Sequence, residues 1–213
     1  MKNLVLTSIL VVAFAGCTPS VFKGFRQSDA ADIREPDAIP WFSSNSHFMY
    51  NSGIDAFREH YSGLMIIKPL PERDFRVVFI NELGMKIFDM EFFSNGEFML
   101  HHCIEFLNKK IIINTLKNDI SLALNNQNFT ILKVSKDQEA GKSGFKVRDG
   151  NGIKYLLVDD SSRRIEKIIR KGGIGKKTSV SFFSSDAPEP DSVKINHRHI
   201  KLDIHLSRIN EDR

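Results

Sequence analysis

The sequence predicts a mainly β protein of the α+β type. The expected form is a curled antiparallel sheet of about ten or eleven strands, an incomplete barrel with one principal helix packed in or over it. Three observations carry that expectation. After His47 the chain is a succession of β-branched and aromatic runs separated by Gly, Pro, Asn and Asp clusters. A single later segment has helical spacing. Several strands are apolar on both faces, and one helix cannot cover that many strands, so the sheet must curl on itself.

Composition agrees. With 213 residues, 41 % hydrophobic and 26 % charged, the chain is neither disordered, collagenous nor a polytopic membrane protein. The formal charge of +4 is small against 26 acidic residues interleaved with the basic ones, and no basic-aromatic pattern marks a nucleic-acid surface. Phenylalanine is in excess: 17 Phe stand beside 3 Tyr and 1 Trp. A Phe ring buries a large apolar area and brings no polar group that needs a partner.

The elements follow in order. Met1-Lys2-Asn3 is a short charged start, and Leu4 to Ala15 is apolar except for Thr7 and Ser8. That length suits the core of a signal peptide and is too short to span a bilayer. Phe14-Ala15-Gly16-Cys17 then places small residues just before a cysteine. The segment resembles a bacterial lipoprotein signal with its lipobox, with Phe14 where that family has an aliphatic residue. The resemblance implies removal of residues 1–16, acylation of Cys17 and anchoring by acyl chains at about 0.8 kcal/mol per buried CH₂. Thr18 is not the Asp that retains such lipoproteins in the inner membrane, so the resemblance implies the outer membrane, facing the periplasm. With Cys17 acylated, Cys103 has no disulfide partner. Residues 17–46 read as a lipidated N-terminus and tether, and residues 47–213 as the domain.

Within the domain, Tyr61 to Leu70 and Asp74 to Ile80 are strands joined by Pro69-Leu70-Pro71-Glu72-Arg73. Met85 to Phe93 follows, and Asn95-Gly96 turns it into Phe98 to Cys103. Asn108 to Asn125 is the helix: Ile111, Ile112, Thr115, Leu116, Ile120 and Leu124 share a face, with Asn108 as the expected N-cap. Further strands are Phe129 to Val134, Gly144 to Arg148, Ile153 to Val158, Arg164 to Arg170, Thr178 to Phe183 and a long last strand from Val193 to Leu206. Phe75, Val77 and Phe79 oppose Val78 and Ile80 across one strand; Phe88, Met90 and Phe92 oppose Ile87 and Phe93 across the next. The phenylalanines are either the wall of an apolar pocket or a packed core without a cavity.

The run from Phe75 to Met90 contains Asn81-Glu82-Leu83-Gly84 between two strands. It resembles the Asn-Pro-Leu-Gly hairpin of LolB-type receptors, and the architecture is similar to the LolA/LolB-like periplasmic fold. Asn81, Leu83 and Gly84 match; Glu82 replaces the proline. The resemblance implies a hydrophobic cavity under a helical lid and a protruding Leu83 that contacts membrane or lipid. The expected residues for an apolar ligand are Phe79, Leu83, Phe88, Phe92 and Leu116.

Other constellations are weaker. His101, Cys103 and Glu105 alternate on one strand, and His197, His199, Asp203 and His205 lie on one face of the last; either could hold a metal, but a polar solvent face explains both, and no metal or cofactor is assigned. Lys171 to Thr178 lacks the spacing of a phosphate loop and reads as a hairpin turn. No hydrolase or redox motif is present. The expected function is therefore non-catalytic: a membrane-anchored lipoprotein that binds or handles a lipid, acylated or other hydrophobic ligand. The alternative is a scaffold lipoprotein of an envelope assembly that engages a protein partner and no small molecule.

Overall fold

The computed structural model describes residues 21–22, 24–27, 41–42, 47–56, 59–173, 175–185 and 189–209. The expected signal peptide and Cys17 lie outside them. Strands β1 (Arg26–Gln27), β2 (Phe48–Ala56), β3 (Glu59–Pro69), β4 (Phe75–Asn81), β5 (Lys86–Phe92) and β6 (Phe98–Cys103) precede helix α1 (Lys110–Leu124). Strands β7 (Thr130–Asp137), β8 (Lys142–Asp149), β9 (Gly152–Asp159), β10 (Ile165–Lys171), β11 (Lys177–Phe183), β12 (Ser192–His197) and β13 (Leu202–Arg208) follow it.

All thirteen strands form one sheet in the order β1-β7-β8-β9-β10-β11-β12-β13-β2-β3-β4-β5-β6. Every neighbour is antiparallel, and the sheet is not closed into a barrel. Alternation supplies the curl. Phe48, Tyr50 and Ile54 of β2, Leu156 and Val158 of β9, and Leu202, Ile204 and Leu206 of β13 are buried, while their neighbours in sequence are more exposed. The inner residues form one continuous cluster with α1.

The long strand expected from Val193 to Leu206 is two strands. Residues 198–201 turn between β12 and β13, which pair with each other from Ser192↔Ser207 to Asn196↔Asp203. The alternation runs on through the turn, so pattern alone could not reveal it. Helix α1 begins later than expected. Lys109 is the N-cap residue and its side chain makes no cap bond; Asn108 does not cap. At the other end Asn125 adopts a left-handed conformation (φ 48°) and its N–H returns to the Ser121 carbonyl.

His47 is not a packing boundary. Trp41 and Phe42, in the stretch read as tether, are buried in the core. The Trp41 Nε1–H donates to the Ile165 carbonyl at 2.7 Å, and the indole stacks on Phe182. Phe42 packs edge-on against Phe48 and Tyr50. These aromatic rings gain more from burial than a short free linker gains from mobility.

At Gly63, a Cβ would overlap the carbonyl oxygen of Ile80. The residue is glycine because β3 and β4 approach too closely there for a side chain.

Candidate functional site: the Phe-rich concave face and the Leu83 hairpin

Across β4 and β5 the registers Phe75↔Phe92, Val77↔Met90 and Phe79↔Phe88 put three apolar pairs side by side on the concave face. The next strand continues the rows, with Phe92 opposite Phe98, Met90 opposite Leu100 and Phe88 opposite Cys103. Phe79 and Phe88 lie with ring centroids 5.5 Å apart, and Phe92 meets Phe98 edge-on at 5.4 Å. Helix α1 contributes Ile112, Leu116 and Ile120 to the same cluster. Four of the five residues expected at an apolar site, Phe79, Phe88, Phe92 and Leu116, are therefore brought together, and each is at most 2 % exposed. Cys103 faces the same cluster as a half-buried thiol whose pKa burial pushes up.

Leu83 is elsewhere. It sits on the β4–β5 hairpin and is 88 % exposed. The hairpin is built to hold it there. The Asn81 side-chain oxygen accepts from the N–H groups of Leu83 (3.1 Å) and Met85 (2.8 Å). Gly84 takes φ 80°, and its N–H returns to the Asn81 carbonyl. Glu82, where the resembling hairpin has proline, accepts a hydrogen bond from the Ser62 hydroxyl. Met85 is exposed beside Leu83, so two apolar side chains project at one turn.

A row of buried polar groups lies on the concave side of the other half of the sheet. Asp149 of β8, Lys154 of β9, Arg170 of β10, the half-buried Thr178 of β11 and His197 of β12 follow one another across the strands, with Lys154 opposite the apolar Val147 of β8. Lys154 Nζ is 2.7 Å from Asp149, both side chains at most 2 % exposed, and lies over the Phe129 ring. Burial pulls the Lys154 ammonium below its usual pKa, against the pull of Asp149. Arg170 reaches the same Asp149 oxygen at 3.3 Å.

The row ends at helix α1, where the Asp119 carboxylate is 2.9 Å from His197 Nε2. His197 Nδ1 is 2.8 Å from the Leu202 carbonyl, which can only accept. One nitrogen must therefore donate to Leu202, and the contact with Asp119 needs a second proton, on Nε2 or on the carboxyl. The pKa directions fit a pair that retains one proton. Burial raises Asp119 against the opposing pull of His197; burial lowers His197, but the bond to Asp119 and its charge outweigh that and the net direction is up. Sequence reasoning missed this row because its members lie far apart in the chain and none belongs to a motif.

The segment after α1 bridges the two halves. Asn126 donates to the Arg73 carbonyl in the β3–β4 turn, Arg73 donates to Asn128, and Asn151 in the β8–β9 turn donates to Gln127. The histidine groupings come apart except for His197 and His199, whose rings meet edge-on at 5.6 Å. His101 pairs with Glu91 at 2.7 Å, His197 points inward to α1, and His205 lies on the opposite face of the sheet beside Gly53. No group of three or more His, Cys, Asp or Glu with metal-holding geometry occurs among the described residues. In the β10–β11 turn the Gly172 N–H donates to the Lys176 carbonyl and the Lys176 N–H to the Gly173 carbonyl, the hairpin expected there.

An open antiparallel sheet curled about one helix, with an apolar inner face, defines the class as a half-barrel. No family model matches the sequence, and no curated protein matches it. Among solved structures, a LolA superfamily protein from Nitrosomonas europaea is similar over 86 % of this chain and 92 % of its own, with a TM-score of 0.52 at 9 % identity. An outer membrane lipoprotein-sorting protein domain from Vibrio parahaemolyticus covers 79 % of this chain and 85 % of its own at 10 % identity and a TM-score of 0.47. The domain is LolA/LolB-like in fold.

Proposed function

We propose that the protein is a non-catalytic lipoprotein, anchored through acylated Cys17 in the outer membrane and facing the periplasm, that binds an acyl chain or other apolar ligand on its concave face. The observation that carries this reading is the convergence of Phe79, Phe88, Phe92 and Leu116 inside a LolA-like half-barrel. These side chains offer hydrocarbon contact and no hydrogen-bonding group, which suits a ligand without polar features along its length. Because α1 covers them, a ligand enters by shifting α1 from the sheet. The exposed Leu83 and Met85 suit a tip that enters the headgroup region when ligand is exchanged with a bilayer.

The test is mass spectrometry of protein purified from its own envelope, which should carry a stoichiometric acyl compound that Phe88→Ala reduces. Intact-mass analysis reads the anchor separately: Cys17→Ser should abolish the added acyl mass and release the chain from membranes.

A second reading has its own support. The complete burial of the inner phenylalanines by other side chains suits a packed scaffold that meets a protein partner on its outside. Envelope-purified protein with no bound acyl compound and no uptake of a fluorescent fatty acid would favour it.

A further inference from the structure

The outward face of the sheet is electrically uneven. Across β2 to β6 its charges are balanced and most are paired: Asp89 takes both Arg76 and Lys86, Glu91 takes His101 and Asp55 takes His60. Across β7 to β12 the same face carries Lys133, Lys146, Arg148, Lys167, Lys171 and Lys194, all on one side by register. The carboxylates on this stretch, Asp137, Asp159 and Glu166, gather toward one end, where Asp159 is bonded by Ser161 and Ser162 and Glu166 by Lys142. Between the lysines lie half-buried Ile153, Tyr155 and Leu157. A rigid face with amphipathic stems around partly exposed apolar groups suits the boundary between water and lipid headgroups.

A second observation fixes which way this face points. Phe22 packs on it. Its ring fills the space above Gly144, where a Cβ would come within 2.9 Å of the ring, and it meets Tyr155 edge-on at 5.9 Å. Phe25 meets it at a tilt, ring centroids 5.1 Å apart, and Arg26–Gln27 then pairs with β7. Phe22 follows Cys17 by five residues, a reach of about 18 Å at full extension. An acyl anchor at Cys17 would therefore be tied to the basic face by no more than that length of chain.

We infer that the outward face of β7 to β12 docks on an anionic lipid surface, so that the acyl anchor and a basic patch act together and hold the domain in one orientation. This rests on acylation at Cys17. The acyl chains supply the anchor, and each Lys or Arg near an anionic surface adds to the partition and fixes which face meets it. With this face on the bilayer, the concave side opens away from the plane of the patch.

The test uses the mature lipidated protein on vesicles of phosphatidylethanolamine alone or mixed with phosphatidylglycerol. Acetylation of individual lysines by a membrane-impermeant reagent is followed by mass spectrometry. Lys146 and Lys171 should react about fivefold more slowly on the anionic vesicles, with protection lost at high salt, while Lys68 on β3 reacts equally on both. Equal rates at Lys146 and Lys171 on the two vesicles would overturn the inference. The triple substitution Lys133→Gln, Arg148→Gln and Lys194→Gln, whose side chains are exposed, should remove most of the protection at Lys146 and Lys171 without changing the melting temperature; full retention would also overturn it. Flotation separates the two readings. A chain that fails to float with phosphatidylethanolamine vesicles lacks the anchor, and salt-sensitive flotation with the anionic vesicles still reads the patch alone.

Discussion

The two halves of the sheet solve the same packing problem with different side chains. From β2 to β6 the inner face is aromatic, with Phe48, Tyr50, Phe75, Phe79, Phe88 and Phe92 buried. From β8 to β13 it is mostly aliphatic, built on Val147, Leu156, Ile168, Val180, Ile195 and Ile204, with Phe145 and Phe182 among them. The aliphatic half also contains the buried row from Asp149 to His197, and it has the basic outer face. Rings on one side meet branched chains on the other, with α1 between them. The inner phenylalanines are therefore concentrated in one half, Phe48, Phe75, Phe79, Phe88 and Phe92 against Phe145 and Phe182. The proposed ligand site lies in the phenylalanine-rich half.

The comparison can be broken by substitution. Phe88→Ala, in the aromatic half, should cost about 3–5 kcal/mol in urea unfolding, and Ile168→Val, in the aliphatic half, about 1 kcal/mol. If bound ligand offsets part of the Phe88 loss, the aromatic half is a site as well as a core. Asp119→Ala removes one partner of the buried pair that ties α1 to β12 and should cost about 3 kcal/mol.

The same pair sets a pH response. In the unfolded chain an imidazole releases its proton near its ordinary value of 6.5, whereas the native pair retains it. The native state then binds more protons above that pH, so stability falls as pH rises through the raised folded value. Melting temperature against pH should show this fall, and His197→Gln should flatten it.

Asp89, on the outward face of β5, gives the opposite sign. The Arg76 guanidinium, with Lys86, holds its carboxyl down from the usual 3.8 to about 2. Its contribution, about 2 kcal/mol, is present above the unfolded value and is lost as pH falls toward the folded one. Acid unfolding of Asp89→Asn should lack that step. The smallest stability effect is expected at the hairpin: Leu83→Glu should change unfolding by less than about 0.5 kcal/mol. It should nonetheless reduce insertion into lipid monolayers, and unchanged insertion would remove Leu83 from the proposed function.

Much of the fold was legible because a half-buried strand writes itself as alternation. The β4–β5 and β5–β6 hairpins were readable from Asn81, Gly84, Asn95 and Gly96, whose turn chemistry is local. The single helix stood out by its spacing. The split between β12 and β13 was not readable, because Arg198 to Lys201 contains no Gly, Pro or Asn and keeps the strand period. The docking of Phe22, Trp41 and Phe42 was hidden because isolated aromatic residues in an aperiodic stretch give no sign of what they pack against. Of the site, the inner phenylalanines were legible from strand parity. The convergence of Asp119 on His197 depends on how a helix crosses a sheet, and no local pattern records that.

One consequence follows from the two-residue strand β1. An unclosed sheet has two edges of opposite standing, and the last strand of one molecule can template the first strand of another without end. Arg26 and Gln27 occupy part of the β7 edge opposite Lys136 and Ser135, and they set two like charges face to face where a foreign strand would have to pair. This short stretch therefore acts as a stopper against filament growth. Deleting Arg26 and Gln27, which uncovers that part of the β7 edge, should raise light scattering in concentrated solution while leaving the core intact.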